Sequence, residues 1–178
     1  ILPSLNIAFG GKEDDYIVGS SDALSIDFLV GGQGRDEIHT GDGALNLALG
    51  GKDPDRIFGG TSVLDVLLGG EGGDEIHGAG GVLDLLLGGP HDDCIYGEGG
   101  GVNIALGGHG NDIITGGSGV DILVGGWQDD SLVAGTIVNI LIGGLDNDYL
   151  EGGTGLDILL GGSGSDCIFG RSGVDIIL

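Results

Sequence analysis

The sequence predicts an all-β fold: a right-handed parallel β-solenoid of nonapeptide repeats, with two parallel sheets and about 18–19 residues per coil. Three observations predict it. The phrase GGxGxDxUx, with U aliphatic, occurs without mismatch at Gly31, Gly69, Gly107, Gly116, Gly152 and Gly161, and the copies at Gly107 and Gly116 are back to back. A self-similar nine-residue period is the signature of stacked coils. Glycine pairs recur all along the chain, and every apolar run between them is strand-length. Finally, the whole chain threads as alternating half-coils, A then B, with nothing left over for a second domain or a linker, so residues 1–178 read as one repeat domain.

Residues 1–9 form a lone B half in this threading. Full coils then start at Gly10, Gly31, Gly50, Gly69, Gly88, Gly107, Gly125, Gly143 and Gly161, at intervals of 21, 19, 19, 19, 19, 18, 18 and 18 residues. The additional residues of the early coils fall in B turns such as GGTSVLD and AGGVLD. Turns accept insertions, whereas a one-residue slip in a strand reverses its faces. Each half-coil is read as a glycine-rich turn followed by a three-residue strand. The inward A column is Ile17, Ile38, Ile57, Ile76, Ile95, Ile114, Leu132, Leu150 and Ile168. The inward B column is Ala8, Leu29, Ala48, Leu67, Leu86, Ala105, Leu123, Leu141, Leu159 and Ile177.

Composition narrows the function. With 44 Gly and 40% hydrophobic residues the chain departs from a usual globular domain, and a repeat array needs no globular core. The net charge of −23, from 5 Lys and Arg against 28 Asp and Glu, speaks against a nucleic-acid partner. Glycine pairs cut every apolar run well short of a transmembrane segment. The chain begins at Ile1 with no visible signal peptide, which reads as a mature product or an excised part of a longer one.

The repeats and their full-length coverage resemble the RTX (hemolysin-type) calcium-binding β-roll. That resemblance implies secretion, often by type I export, folding on Ca²⁺, and turns that hold the ion through aspartates and carbonyls of adjacent coils. The chain departs from the pattern in its B turns, where Val63, Val82 and Ile137 stand for the central glycine and Asn6, Asn46, Asn103 and Asn139 for aspartate.

The residues themselves point to cations at the A turns. Asp15, Asp36, Asp55, Asp74, Asp93, Asp112, Asp130, Asp148 and Asp166 form an unbroken column. Carboxylates stacked about 5 Å apart repel by roughly 3 kcal/mol per pair at an effective dielectric near 20. Ca²⁺, which takes six to eight oxygens in flexible geometry, is the natural counter-ion; Mg²⁺ keeps a stricter octahedron. The bland alternative is an aspartate that caps a turn. Asp121, Asp157 and Asp175 are the candidate cation ligands of the B column. Two residues before each A aspartate the chain reads Glu13, Gly34, Asp53, Gly72, His91, Gly110, Gln128, Asp146, Gly164, which suggests two kinds of A turn.

The B strands are apolar at both positions flanking the inward residue. The first of these positions holds Phe28, Leu47, Val66, Leu85, Ile104, Ile122, Ile140 and Ile158, and the second holds Val30, Leu49, Leu68, Leu87, Leu106, Val124, Ile142 and Leu160. Ile7 with Phe9, and Ile176 with Leu178, extend the two rows to the ends. Ten such strands at ~4.8 Å spacing give a greasy patch of roughly 500–700 Å². A soluble monomer exposes no more than ~400 Å², so the face reads as an interface for a homo-oligomer or filament. Both ends are ordinary repeats without polar capping units, which adds end-to-end contact to that expectation.

Other signals are weak. His39 and His77 lie two coils apart, too far to share a metal. Cys94 and Cys167 are four coils apart, about 19 Å at the strand spacing, beyond disulfide reach. Trp127 stands alone in a turn, and neither a G-x-S-x-G elbow nor an H-E-x-x-H motif occurs. The expected function is therefore non-enzymatic: a secreted, Ca²⁺-loaded structural module that self-associates through its B face. A calcium-dependent folding and export module of a larger secreted enzyme or toxin is the alternative. An ice-binding solenoid is a distant one, since it wants a row of Thr that is not present.

Overall fold

The computed structural model of the chain describes residues 3–178. The first two residues of the N-terminal B half lie outside them. The described chain is a parallel β-solenoid with one ten-stranded and one nine-stranded sheet and no helix among the described residues. Each sheet's strands follow one another in chain order, coil upon coil. Registers match the threading: Ala8 pairs with Leu29 and Leu29 with Ala48, while Ile17 pairs with Ile38 and Ile38 with Ile57.

The A strands are three residues long, as in Glu37–His39 and Cys94–Tyr96. The B strands are not. All but the last, Val174–Ile177, run for eight residues, as in Ile26–Gln33, Leu64–Glu71 and Val120–Trp127, because the chain stays extended through the glycine pair that opens the following A turn. Only glycine permits this. The second glycine of the pair has φ between 116 and 133° in Gly32, Gly51, Gly70 and Gly89, and a Cβ there would collide with the carbonyl of the equivalent glycine one coil earlier. Gly51→Ala should therefore cost the folded chain about 2 kcal/mol or more. Gly11→Ala shares the positive φ but meets nothing within 4 Å, and should cost less. Chemical denaturation of both variants in excess Ca²⁺ checks the difference.

The core is a double column one side chain thick. Ile38, Ile57, Ile76, Ile95, Ile114, Leu132 and Leu150 of the A sheet face Ala48, Leu67, Leu86, Ala105, Leu123, Leu141 and Leu159 of the B sheet, all fully buried. Ala8 and Ile168 are packed against this core and only partly buried. Ile177 departs from its expected place inside. It is half-exposed, in the last B strand, which has a neighbouring strand on one side only.

Outside, the two sheets differ. Along the B strands burial alternates strictly, so that Leu64, Val66 and Leu68 point out while Asp65 and Leu67 point in. Three outward rows of Leu, Ile, Val and Phe thus run along this face without a charged residue. In the row nearest the glycine pairs, Val30 pairs with Leu49, Leu49 with Leu68, Leu68 with Leu87 and Leu87 with Leu106. Leu106 then pairs with Val124, Val124 with Ile142 and Ile142 with Leu160. The middle row runs beside it, from Phe28 and Leu47 to Ile140 and Ile158.

These rows are less open than the sequence suggests for an interface. Leu106 and Leu160 are exposed, but Val30, Leu49, Val124 and Ile142 are half-buried, as is the whole middle row from Phe28 to Ile158. The reason is the ladder itself: each side chain is flanked by the equivalent side chains of the adjacent coils, which cover its sides and leave its tip to solvent.

The A face carries a feature the column reading passed over. His39, Phe58, His77 and Tyr96 occupy the same outward position on consecutive coils, and their rings stack with centroids 4.6, 4.9 and 4.8 Å apart. Each stacked pair contributes about 0.5–1.5 kcal/mol beyond its burial. Glu37 bonds His39, and Glu75 and Glu98 bond His77, at 2.8 to 3.2 Å. Cys94 and Cys167 are free thiols. Trp127 ends a B strand and meets His109 edge-on, with centroids 4.0 Å apart.

Candidate metal centre

Two columns of acid run the length of the solenoid, and the fold treats them differently. In the A column each aspartate from Asp36 on reaches across to the coil before it. The Asp15 N–H donates to Asp36 Oδ1, the Asp36 N–H to Asp55, and so on through Asp148 to Asp166, eight bonds of 2.7 to 3.0 Å. The capping role weighed from the sequence is thus real, but it acts between coils and occupies one carboxylate oxygen only.

The other oxygen is left bare. Oδ2 of Asp15, Asp36, Asp55, Asp74, Asp93, Asp112, Asp130 and Asp148 is buried without a hydrogen-bond partner. It lies against the first glycine of its own turn, so closely that a Cβ on Gly31, Gly69 or Gly107 would collide with it. A Cβ on Gly31 or Gly50 would also lie 2.7 Å from a carbonyl of the next coil, that of Gly50 or Gly69. A bare buried carboxylate oxygen demands a proton or a cation. Burial, opposed by the N–H bond and reinforced by neighbouring aspartates, pushes Asp55 and Asp130 up to about 7 and Asp93 to about 8. Asp112 rises to about 6, by burial and the charge of Asp92.

The residues fit an oxygen-seeking divalent cation. Paired aspartates and glycine carbonyls are the donors Ca²⁺ takes, in a geometry loose enough to accept carbonyls. Among the described residues no three carboxylate, imidazole or thiol side chains gather at one point, so carbonyls must complete any such site. The two kinds of A turn are also visible in the backbone. Glu13, Asp53, His91, Gln128 and Asp146 have φ of 71 to 83°, in the left-handed region. Gly34, Gly72, Gly110 and Gly164 have φ of 110 to 141°, and a Cβ on any of them would collide with backbone of the preceding coil's left-handed residue.

The B column is not a set of turn residues, as the sequence suggested. Its members are inward positions of the long strands, next to the core. Asn6, Asn46, Asn103 and Asn139 each donate through Nδ2 to the aspartate one coil on, Asp27, Asp65, Asp121 and Asp157, at 2.6 to 2.7 Å. Of the expected B ligands, Asp157 has both oxygens bonded, the second to the Gly153 N–H at 2.8 Å. Asp121 keeps Oδ2 bare, facing Gly116 and Gly135, and Asp175 keeps Oδ1 bare. Asp112→Ala should therefore cost more calcium affinity than Asn103→Ala, which removes a neutral bridge and should register chiefly as lost stability. Calorimetric titration of the two variants compares them, and equal losses of affinity would merge the roles of the two columns.

A family model described as the RTX calcium-binding nonapeptide repeat (4 copies) matches residues 25–44, 64–82, 84–101, 99–132 and 142–177, together more than half of the chain. Comparison with curated proteins and with solved structures yields no match.

Proposed function

The chain belongs to the RTX calcium-binding nonapeptide repeat family, and from that premise we propose that it is a secreted structural module that folds on Ca²⁺ and then pairs with a second copy through its B face. The observation that carries the calcium half is the row of eight buried, unpartnered Oδ2 atoms along the A edge. Asp15, Asp36, Asp55, Asp74, Asp93, Asp112, Asp130, Asp148 and Asp166 hold the ions, with turn carbonyls completing the coordination. Bound Ca²⁺ supplies positive charge between stacked carboxylates. The chain supplies oxygens already fixed in place by the cross-coil N–H bonds.

Support for self-association comes from the uncharged outward rows of the B sheet on a chain of net charge −23. Elsewhere that charge keeps copies apart, and natural sheets usually interrupt such a surface with lysine or another charge. A second copy matches the patch in shape, length and polarity. Burying roughly 500–700 Å² on each partner falls at the low end of specific interfaces. Sedimentation with and without Ca²⁺ tests the whole reading: the loaded chain should run as a dimer or larger at micromolar concentration and the stripped chain as an expanded monomer. A loaded monomer would remove the assembly and leave the calcium role standing.

A further inference from the structure

The rim along which the chain enters the B strands is uneven. The residue just before each strand, from the third B strand to the eighth, is Ala44, Val63, Val82, Gly101, Gly119 and Ile137. Val63, Val82 and Ile137 are each more than half exposed, so three aliphatic knobs project from the turns. Between Val82 and Ile137 lies a groove of about 520 Å³, floored by glycines that include Gly101 and Gly119 and bordered by Val102 and Val120 of the first outward row. The groove cannot be filled from within the chain. A Cβ on Gly101 would collide with the carbonyl of Gly81, and one on Gly119 with that of Gly101.

Knobs and groove are self-complementary. Take a two-fold axis parallel to the strands, passing between the fifth B strand, Leu83–Pro90, and the sixth, Val102–His109. It sets Val82 of one copy over Gly101 of the other, Val63 over Gly119 and Ile137 over Ala44. Each knob meets a glycine or an alanine, and each meeting occurs twice, as in any isologous contact. The first outward row obeys the same pairing, since Leu83, Leu64 and Leu45 fall over Val102, Val120 and Val138. The axis also halves the ten-stranded sheet, so all its strands overlap. An axis along the rod would instead lay this rim over the opposite one, where the strands end. Val63 would then face Glu71, and Ala44 would face Lys52, which pairs with Glu71 at 3.7 Å. Covering those charges with aliphatic side chains is unfavourable.

We propose that two copies pack B face to B face with their rods antiparallel, each seating Val63 and Val82 in the glycine groove of the other. The arrangement presupposes the pairing through the B face and adds its direction and register.

Spin labels test the direction. In a chain carrying Cys94→Ser and Cys167→Ser, single labels are attached through Thr136→Cys, Thr154→Cys or Ser172→Cys, exposed turn positions on successive coils, and measured in Ca²⁺ by double electron–electron resonance. Antiparallel rods should separate equivalent labels by about 10 Å more with each coil towards the C-terminus, two strand spacings per coil. Equal separations at all three positions, the result for rods that run the same way, would overturn the direction and leave the face pairing standing. No coupling between labels, in a chain that light scattering finds monomeric, would overturn the pairing and the arrangement with it. In the chain with its own cysteines, Val82→Lys should shift the calcium-loaded mass towards monomer with the far-UV spectrum unchanged, because the knob beside the axis enters the contact twice. An unchanged mass would overturn the seating, and this arm holds even if the cysteine-free chain fails to fold.

Discussion

Stripped of calcium by excess chelator at pH 8, the chain should give the far-UV circular dichroism of a disordered polypeptide, and restoring Ca²⁺ should return a β-spectrum. The stabilising core is a double column one side chain thick, set against the cost of ordering a chain with 44 glycines. The carboxylates decide the balance. Asp55, Asp93, Asp112 and Asp130 move from an ordinary 3.8 to between about 6 and about 8 on folding. Each unit corresponds to about 1.4 kcal/mol, so ionising all four in place costs more than about 10 kcal/mol even after a discount for solvent screening, comparable with the entire stability of a typical domain. The sign follows from the protons. The folded chain holds protons that the unfolded chain releases, so their stabilising contribution is complete below about 3.8 and is lost as pH rises through about 6 to 8. Acid should therefore substitute in part for the ion, with metal-free chain regaining β-structure near pH 5. A β-spectrum that survives thorough chelation at pH 8 would overturn the requirement.

Replacing Leu68, Leu87 and Leu106 together by Lys should reduce the calcium-loaded assembly to monomer while leaving the coil intact. All three lie in one outward row on consecutive B strands, whereas Leu67, Leu86 and Ala105 beside them fill the core. At 25 cal/mol per Å² over ~500 Å² per partner, burying the face in such an assembly would contribute about 12 kcal/mol gross for each chain. Rigid-body and side-chain ordering offset most of it, so three lysines brought against a second copy are enough to reverse the sign. The measurement is mass by light scattering alongside circular dichroism in Ca²⁺. An undiminished mass in the variant would place the contact elsewhere.

Much of this was readable because a solenoid repeats its environment. Ile38, Ile57 and Ile76 recur at one interval and Asp36, Asp55 and Asp74 two residues before them, so a single register aligns core and acid alike. The inward place of Leu67 and the outward place of Leu68 followed from alternation. What stayed hidden depended on where extension stops. Glycine pairs read as turns, yet Gly69 and Gly70 continue the strand Leu64–Glu71, and the longer strand carries Asp65 inside with the core. Placed in a turn, Asn46 looks like a weakened ligand; placed in the strand, it is a donor to Asp65. The stack of His39, Phe58, His77 and Tyr96 is within reach of the sequence, since the four share one column, but separated histidines draw attention to metal rather than to rings.

The cross-coil bonds also give the rod a direction. In the two buried columns, every A aspartate from Asp36 on accepts from the coil before it, and every bridging asparagine donates to the coil after it, so these carboxylates anchor the coil on their N-terminal side. Loss of the Asp93 side chain frees the Asp74 N–H, whereas the Asp93 N–H keeps its own anchor in Asp112. Within this column, then, the loss of one carboxylate loosens the coil before it and leaves its own coil anchored to the one after.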